Sequence, residues 1–255
     1  MALNFRQNEI LNIARKQGKV TVDGLAESFN VTVQTIRRDL TELCNSSALT
    51  RVHGGAVIPS GVENIDYEQR VEIASEAKTS IAQECVKHIP NGASLFLNIG
   101  TSTEAVARAL LNHEGLMVIT NNMNVANILA TGSDFEVIIA GGILRRSDCG
   151  LVGEVTAEFM RQFKVDYAVI GTSALDEDGD LLDFDFREVK VSQVIIRNAR
   201  KTFLVADSSK FERSAPVKIA SLAELDSFFT DINPPESVLQ LCESSGVKVK
   251  VAAEH

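Results

Sequence analysis

Two stretches of this sequence carry residue types suited to holding an anion. The first is "VTVQTIRRDL", residues 31 to 40, with Arg37 and Arg38 side by side. If a helix begins after Thr32, the residues Ile36, Leu40 and Leu43 form one apolar stripe. Gln34, Thr35, Arg37 and Arg38 are then left facing outward on the N-terminal half. In a helix-turn-helix that half enters the major groove. Glutamine can bond adenine through two hydrogen bonds, arginine can bond guanine or phosphate, and threonine can touch a phosphate or a thymine methyl. A good bidentate pair is worth about 1–3 kcal/mol of discrimination. Asp39 is expected to be structural, paired with a nearby Arg or Lys.

The second stretch is "NIGTSTEA", where an apolar run ends in Gly100, Thr101, Ser102 and Thr103. A phosphate suits a strand end that opens a helix, because free N–H groups and the helix dipole point at it and hydroxyls add donors. The plain alternative is that Thr101 or Ser102 caps the helix. The spacing is neither a Walker loop nor G-x-G-x-x-G, so no nucleotide cofactor is expected. Other strand ends contribute Asn121, Asn122, Gly141, Gly142, Asp176, Asp178 and Lys210, and Glu188 falls near a helix start. Lys210 is the most informative of these, since a lysine just past a parallel strand neutralises phosphate as a point charge. The others are common turn residues.

The elements that must position these groups read as two blocks. In the first, "FRQNEILNIARKQG" is helical and stops at Gly18. "TVDGLAESFN" follows, capped by Thr21, with Val22, Leu25, Ala26 and Phe29 as its stripe. Asn30 can take the left-handed conformation that ends it, and Thr32 caps the third helix. "ALTRVHGGAVIP" reads as a hairpin whose wing could bring Arg51 and His53 to phosphates. A pair of arginines alone is an ordinary solvated face. The cap, the tight turn, the outward polar set and the Gly-Gly wing together make a winged helix-turn-helix, with Thr32 joining the groove-facing set.

Pro59, Ser60 and Gly61 mark a boundary, and Glu63 to Glu72 reads as a solvated connector. The expected division is residues 1–59 as the DNA-binding domain, 60–74 as a linker and 75–255 as an α/β effector domain. In the last, "SLFLN", "MVIT", "FEVIIA", "VDYAVIG", "KTFLVAD", "LDSFFT" and "VKVKVA" read as strands with helices between most of them. That alternation implies a largely parallel sheet with ligands at the strand C-termini.

Charge agrees with this split. The first sixty residues carry seven cations (Arg6, Arg15, Lys16, Lys19, Arg37, Arg38, Arg51) against five acids, a formal +2 in a chain of net −9. The remainder is acidic and would repel DNA, so the head is the part that approaches a polyanion. Cys44, Cys85, Cys149 and Cys242 and the four histidines show no metal-ligand spacing, so reduced core thiols and no metal are expected. No run of about 18 apolar residues and no signal-peptide pattern is visible, which makes the cytoplasm the expected location.

"VTVQTIRRDLTEL" followed by "LTRVHGGAVI" resembles the DNA-binding head of the DeoR family of bacterial regulators. The resemblance runs over nearly the whole chain, through "IPNGASLFLNIGTSTEAVARALLNH", "TNNMNVANIL", "AGGILRRSDCGLVGE" and "LLDFDFREVKVSQVIIRNAR". It implies a transcriptional repressor on double-stranded operator DNA and an inducer that is a sugar or polyol phosphate, with glycerol-3-phosphate expected. It also implies a homo-oligomer, a tetramer built from dimers. The body further resembles the ribose-5-phosphate isomerase fold. That likeness matches "GTST" to a phosphate loop, Asp176 and Asp178 to an aspartate-rich loop, Glu188 to a catalytic carboxylate and Lys210 to a lysine. "LLDFDF" stands where the isomerase has a glycine-rich lysine segment, so binding without turnover is expected. The alternative is a phosphosugar aldose–ketose isomerase with Glu188 as the base.

Overall fold

Apolar residues recur every three or four positions in the first sixty residues and come in short runs thereafter. These two patterns fold as two units, Met1–Gly61 and Val62–His255. The structure is a computed structural model and describes residues 4–17, 19–46, 48–52, 54–57, 66–132, 134–211 and 213–253. The Pro59–Gly61 boundary and His53 lie outside these residues.

In the first unit, helices α1 (Phe5–Gln17), α2 (Val22–Ser28) and α3 (Val33–Asn45) pack around Ile10, Ala14, Leu25, Ile36, Leu40 and Leu43. Thr21 caps α2 by accepting from the Gly24 N–H at 3.2 Å. Asn30 has φ 50°, the left-handed turn that lets α3 begin almost at once. The wing is larger than the expected hairpin. Strands β2 (Thr50–Val52) and β3 (Gly55–Val57) are joined by β1 (Lys19–Thr21), in the order β1-β3-β2. Three residues between two helices carry too short a pattern to read as a strand, and only the pairing partner makes them one. A Cβ on Gly55 would lie 1.9 Å from the Val20 carbonyl oxygen, so only glycine lets β3 pair with β1.

The second unit opens with α4 (Tyr67–Glu72), which corrects the expectation of a solvated connector. Tyr67 donates to Glu104 at 2.8 Å and Arg70 to Asp148 at 3.0 Å, so this polar segment is fastened to the body by its polar groups. Helix α5 (Ser75–Val86) follows. Seven parallel strands then form the main sheet: β4 (Ser94–Leu97), β5 (Leu116–Thr120), β6 (Phe135–Ile139), β9 (Val165–Ile170), β12 (Ala199–Val205), β14 (Ser227–Thr230) and β15 (Lys248–Val251). Each corresponds to one of the expected strands.

Alternation along these strands covers both faces. Leu95, Leu97, Val169 and Phe203 face α5, α6 (Thr101–Leu110) and α7 (Met123–Leu129). Phe96, Ala168, Ile170 and Leu204 face α8 (Glu154–Met160), α9 (Phe186–Arg197) and α10 (Glu236–Ser245). Two small antiparallel additions were not legible in the sequence. One is the ribbon of β7 (Ile143–Arg145) with β8 (Gly150–Val152), and the other is the sheet of β10 (Ala174–Leu175), β11 (Asp180–Asp183) and β13 (Val217–Ser221). Cys85 and Cys242 are buried, whereas Cys44 and Cys149 are only half-buried, so the core-thiol reading holds for two of the four.

The strand order is β15-β14-β12-β9-β4-β5-β6. From β4 the chain runs outward through β5 to β6, then returns to lay β9 on the other side of β4. The switch point, where such sheets leave a crevice, therefore lies beyond the C-termini of β4 and β9.

Candidate DNA-reading helix and effector cleft

On α3 the apolar stripe decides which side chains face water. Ile36, Leu40 and Leu43 are each fully buried, which turns Gln34, Arg37 and Arg38 outward and leaves Thr35 half-exposed. Thr32 caps the helix, its Oγ1 accepting from the Thr35 N–H at 3.3 Å and lying 2.9 Å from the Thr35 hydroxyl. Arg38 donates to Glu42 at 3.3 Å with its side chain 84% exposed, a pair loose enough for a phosphate to displace. Asp39 is structural, as expected, but its partner comes from α1 rather than α3: Arg6 donates to it at 2.6 Å. Gln7 bridges Asp39 and Glu42, fixing α1 against α3. Arg51 is exposed on β2. The structure thus presents Thr32, Gln34, Thr35, Arg37 and Arg38 on one exposed helix start, with the wing arginine on a separate strand.

In the second unit a cleft opens at the switch point. It is lined by Ile99, Gly100, Thr101 and Ser102 after β4, Gly171, Thr172 and Ser173 after β9, and Lys210 after β12, with Arg70, Asp183, Glu188 and Arg213 around them. Both central strands end in the same tetrapeptide, Ile-Gly-Thr-Ser, at 99–102 and 170–173. That repeat is the signal by which the sequence could have shown the second wall.

Gly100 begins α6 with φ 144°, a conformation that favours glycine, and no side chain caps the helix there. The plain capping alternative therefore does not apply, and the first-turn N–H groups are left for the cleft. Thr103 is committed elsewhere: its hydroxyl donates to the carbonyls of Asn98 and Gly100, each at 2.7 Å, bracing the turn. The Thr101 hydroxyl donates to the Arg70 carbonyl at 3.3 Å, joining the loop to α4. Buried Lys78 of α5 donates to the carbonyls of Arg70 and Ile73, fixing the end of α4 that forms this wall.

Burial sets the charges. The Lys210 ammonium is pushed down to about 8 by burial, against the pull of Asp207 3.8 Å away. Burial, reinforced by Asp183, pushes the Glu188 carboxyl up to about 8, although Arg145 donates to it at 2.5 Å. Burial also raises Asp183. Arg70, Arg213 and Lys210 thus share the cleft with Asp183 and Glu188, two carboxyls whose ionisation burial disfavours, which tilts the balance of charge there toward binding an anion. Arg145 is the keystone behind it. It binds Asp148 through two nitrogens, at 2.7 and 2.8 Å, and reaches Asp185 at 3.2 Å as well as Glu188. The cavity volume is about 30 Å³, room for two or three waters on the measure by which one water needs about 10–15 Å³.

Of the residues expected at the effector site, Gly100, Thr101, Ser102, Glu188 and Lys210 line the cleft. The others do not, and each has a physical reason. Asn121 donates to the Leu151 carbonyl at 3.1 Å, holding β8. Asn122 caps α7 and donates to Glu104. The Gly141 carbonyl accepts from Thr156 at 2.8 Å, and Gly142 packs against the same side chain. The Asp176 carboxylate accepts the Asp178 and Asp180 N–H groups, which makes 176–180 a closed turn. The aspartate the cleft uses is Asp183, seven residues on. Arg70, Arg213, Arg145 and the 171–173 loop were missed, because no local pattern links them to "NIGTSTEA".

Residues 6–62 match the family model described as a DeoR-like helix-turn-helix domain, and residues 73–232 the DeoR C terminal sensor domain. The glycerol-3-phosphate regulon repressor of Escherichia coli (strain K12) is 44% identical over 246 residues, covering 96% of this chain and 98% of that protein. The repressor of the same description from Haemophilus influenzae is 43% identical over 249 residues, covering 98% and 97%. Among solved structures, ribose 5-phosphate isomerase A from Methanocaldococcus jannaschii is similar with a TM-score of 0.40 and 16% identity, over 54% of this chain and 55% of that one. The sequence relatives are named repressors, so the isomerase alternative is set aside. With both domains matched and more than two-fifths of its residues shared with full-length repressors, the chain belongs to the DeoR family of helix-turn-helix transcriptional repressors.

Proposed function

We propose that the repressor releases its operator when a phosphorylated polyol enters the cleft beyond β4 and β9, and that glycerol-3-phosphate is the inducer. The observation that carries this is the uncapped start of α6 facing buried Lys210, with Arg70 and Arg213 on the same cleft. Free N–H groups and three cations suit a phosphate, while Thr101, Ser102, Thr172 and Ser173 suit polyol hydroxyls. The names of the relatives, repressors of a glycerol-3-phosphate regulon, support choosing that compound within the class.

The narrowness of the free cleft supports a switch. A polyol phosphate is larger than the few waters this cavity holds, so it favours a state in which the walls have parted, and such unequal affinity for two states is what lets a ligand shift an equilibrium. Thr32, Gln34, Thr35, Arg37 and Arg38 read the major groove and Arg51 holds a phosphate, in the cytoplasm where operator DNA lies. The protein works as a self-associated dimer or tetramer, so that two heads meet two half-sites.

The test is fluorescence anisotropy of the full chain on a duplex it has itself selected from a random pool. Glycerol-3-phosphate is expected to release the duplex, whereas glycerol and inorganic phosphate at equal concentration leave it bound. Release by unphosphorylated polyols, with no effect of any polyol phosphate, overturns the reading.

A further inference from the structure

Arg70 belongs to two structures at once. Its side chain lines the effector cleft together with Gly100, Thr101 and Lys210, and its Nη2 donates to Asp148 at 3.0 Å. Its Nε is buried with no hydrogen-bond partner. A buried donor left unmade carries a penalty that an incoming acceptor removes.

Asp148 can release this arginine at little cost. Arg145 donates to both oxygens of the Asp148 carboxylate, at 2.8 and 2.7 Å, and shares Oδ2 with Arg70. The Gly150 N–H adds a bond at 3.4 Å. Burial disfavours this carboxylate, yet Arg145 and Arg70 together hold it below the usual carboxylate range, so it is an anion between two cations. If Arg70 leaves, Asp148 keeps a two-pronged arginine. If Arg70 leaves with no anion to receive it, a largely buried cation is stranded, which is costly. The exchange is therefore open to an anionic ligand and closed to a neutral one.

What moves with Arg70 is α4. One turn earlier, Tyr67 is fastened to the body, donating to Glu104 at 2.8 Å and accepting from Asn124 at 3.0 Å. The Arg70 end is held by the bond to Asp148 and by its carbonyl, which accepts from Lys78 and from Thr101. Thr101 opens α6, so a ligand at that helix start meets both tethers of Arg70. The head ends at Gly61 and α4 begins six residues later, at Tyr67, so α4 is the first helix through which the chain of the head joins the body. We propose that Arg70 is the coupling residue of the repressor: the anionic group of the inducer takes its guanidinium from Asp148, and the loss of that tie loosens α4 and the attachment of the head.

The proposal rests on the phosphorylated inducer proposed above and names the bond that this inducer breaks. The experiment compares wild type, Arg70→Gln and Asp148→Asn by calorimetric titration with glycerol-3-phosphate and by anisotropy on a selected duplex without inducer. Both variants lack the tie, so both bind the duplex about fivefold or more weakly, the scale of an ordinary coupling between sites. Their inducer affinities part. Arg70→Gln loses about ten- to a hundredfold with its charge-assisted bond. Asp148→Asn gains about fivefold or more, because the ligand no longer has to win Arg70 from a rival. A residue that only supported the fold would lower both affinities in both variants. Hydrogen exchange of the wild type supplies an independent readout: amides of 67–72 exchange faster with saturating glycerol-3-phosphate than with glycerol. A wild type that binds glycerol-3-phosphate while Arg70→Gln binds it equally well, or while exchange in α4 does not rise, overturns the coupling and leaves the inducer standing. So does a folded Asp148→Asn that binds the inducer no better than the wild type. If circular dichroism shows Asp148→Asn unfolded, Arg70→Gln and the α4 exchange decide. A wild type that binds no polyol phosphate removes the inducer and this proposal together.

Discussion

Replacing Lys210 by methionine keeps a flexible, unbranched apolar stem and removes the terminal ammonium. In the free protein Lys210 titrates at about 8 because burial disfavours the ammonium. At pH 7 it is about nine-tenths protonated and at pH 9 about one-tenth. A phosphate monoester is already close to a dianion across that range, its second pKa being about 6, so any change in affinity comes from the protein. If the ammonium holds the phosphate, log affinity is flat below pH 8 and then falls by about one per pH unit. Glu188, pushed up to about 8 by burial and by Asp183, ionises in the same window and adds a negative charge to the cleft. The combined limb therefore steepens toward about two per unit, a coupled loss belonging to the pair.

In Lys210→Met the lysine contribution disappears, so the limb becomes shallower by about one. Affinity at pH 7 falls by the value of one charge-assisted hydrogen bond, about 1.5–3 kcal/mol, or roughly ten- to a hundredfold. Isothermal titration with glycerol-3-phosphate from pH 7.0 to 9.5 measures both effects. A wild-type affinity that stays level through pH 9.5, or a variant that binds as the wild type does at pH 7, refutes the role given to Lys210.

Three further outcomes follow from the same structure. Arg37→Ala with Arg38→Ala weakens operator binding and makes the plot of log affinity against log salt shallower by about one for each phosphate no longer neutralised, read by anisotropy between 50 and 200 mM salt; an unchanged affinity and slope removes α3 as the DNA-reading helix. Leu40→Ala empties a fully buried site in the head and costs about 2–5 kcal/mol, most of what a domain of that size has; urea unfolding shows an early head transition, while inducer binding in the second unit is retained. Glu188→Gln removes a carboxyl whose folded pKa is raised from 4.5 to about 8. The folded wild type retains a proton that the unfolded chain loses over that window, so its stability falls as pH rises from 4.5 to 8 relative to the variant. Thermal melting at pH 5 and pH 8 checks this, and a difference that does not grow in favour of glutamine contradicts it.

Local periodicity and turn chemistry were enough to place α3 with its stripe of Ile36, Leu40 and Leu43, the Thr32 cap and the seven parallel strands. These features repeat every two or about 3.6 residues and need only neighbours within one turn or one strand. The same holds for the outward set of Gln34, Arg37 and Arg38, because a helix that buries one face has no freedom in what it exposes on the other. Five residues that line the cleft were legible for a related reason: the C-terminal end of a parallel strand is a position the sequence marks with glycine and hydroxyls.

What the sequence left open is what depends on pairing between distant segments. β1 is a strand only because β3 lies beside it, and α4 is part of the body only because Glu104 and Asp148 receive Tyr67 and Arg70. Asp183 rather than Asp176 enters the cleft because the turn at 176–180 consumes its own carboxylate. The near-neutral titration of Lys210 and Glu188 is likewise a product of burial, which no side chain carries in its own formula. Short-range steric and hydrogen-bond preferences act along the chain and are written in it, whereas desolvation and long-range ion pairing exist only once segments a hundred residues apart exclude the same water.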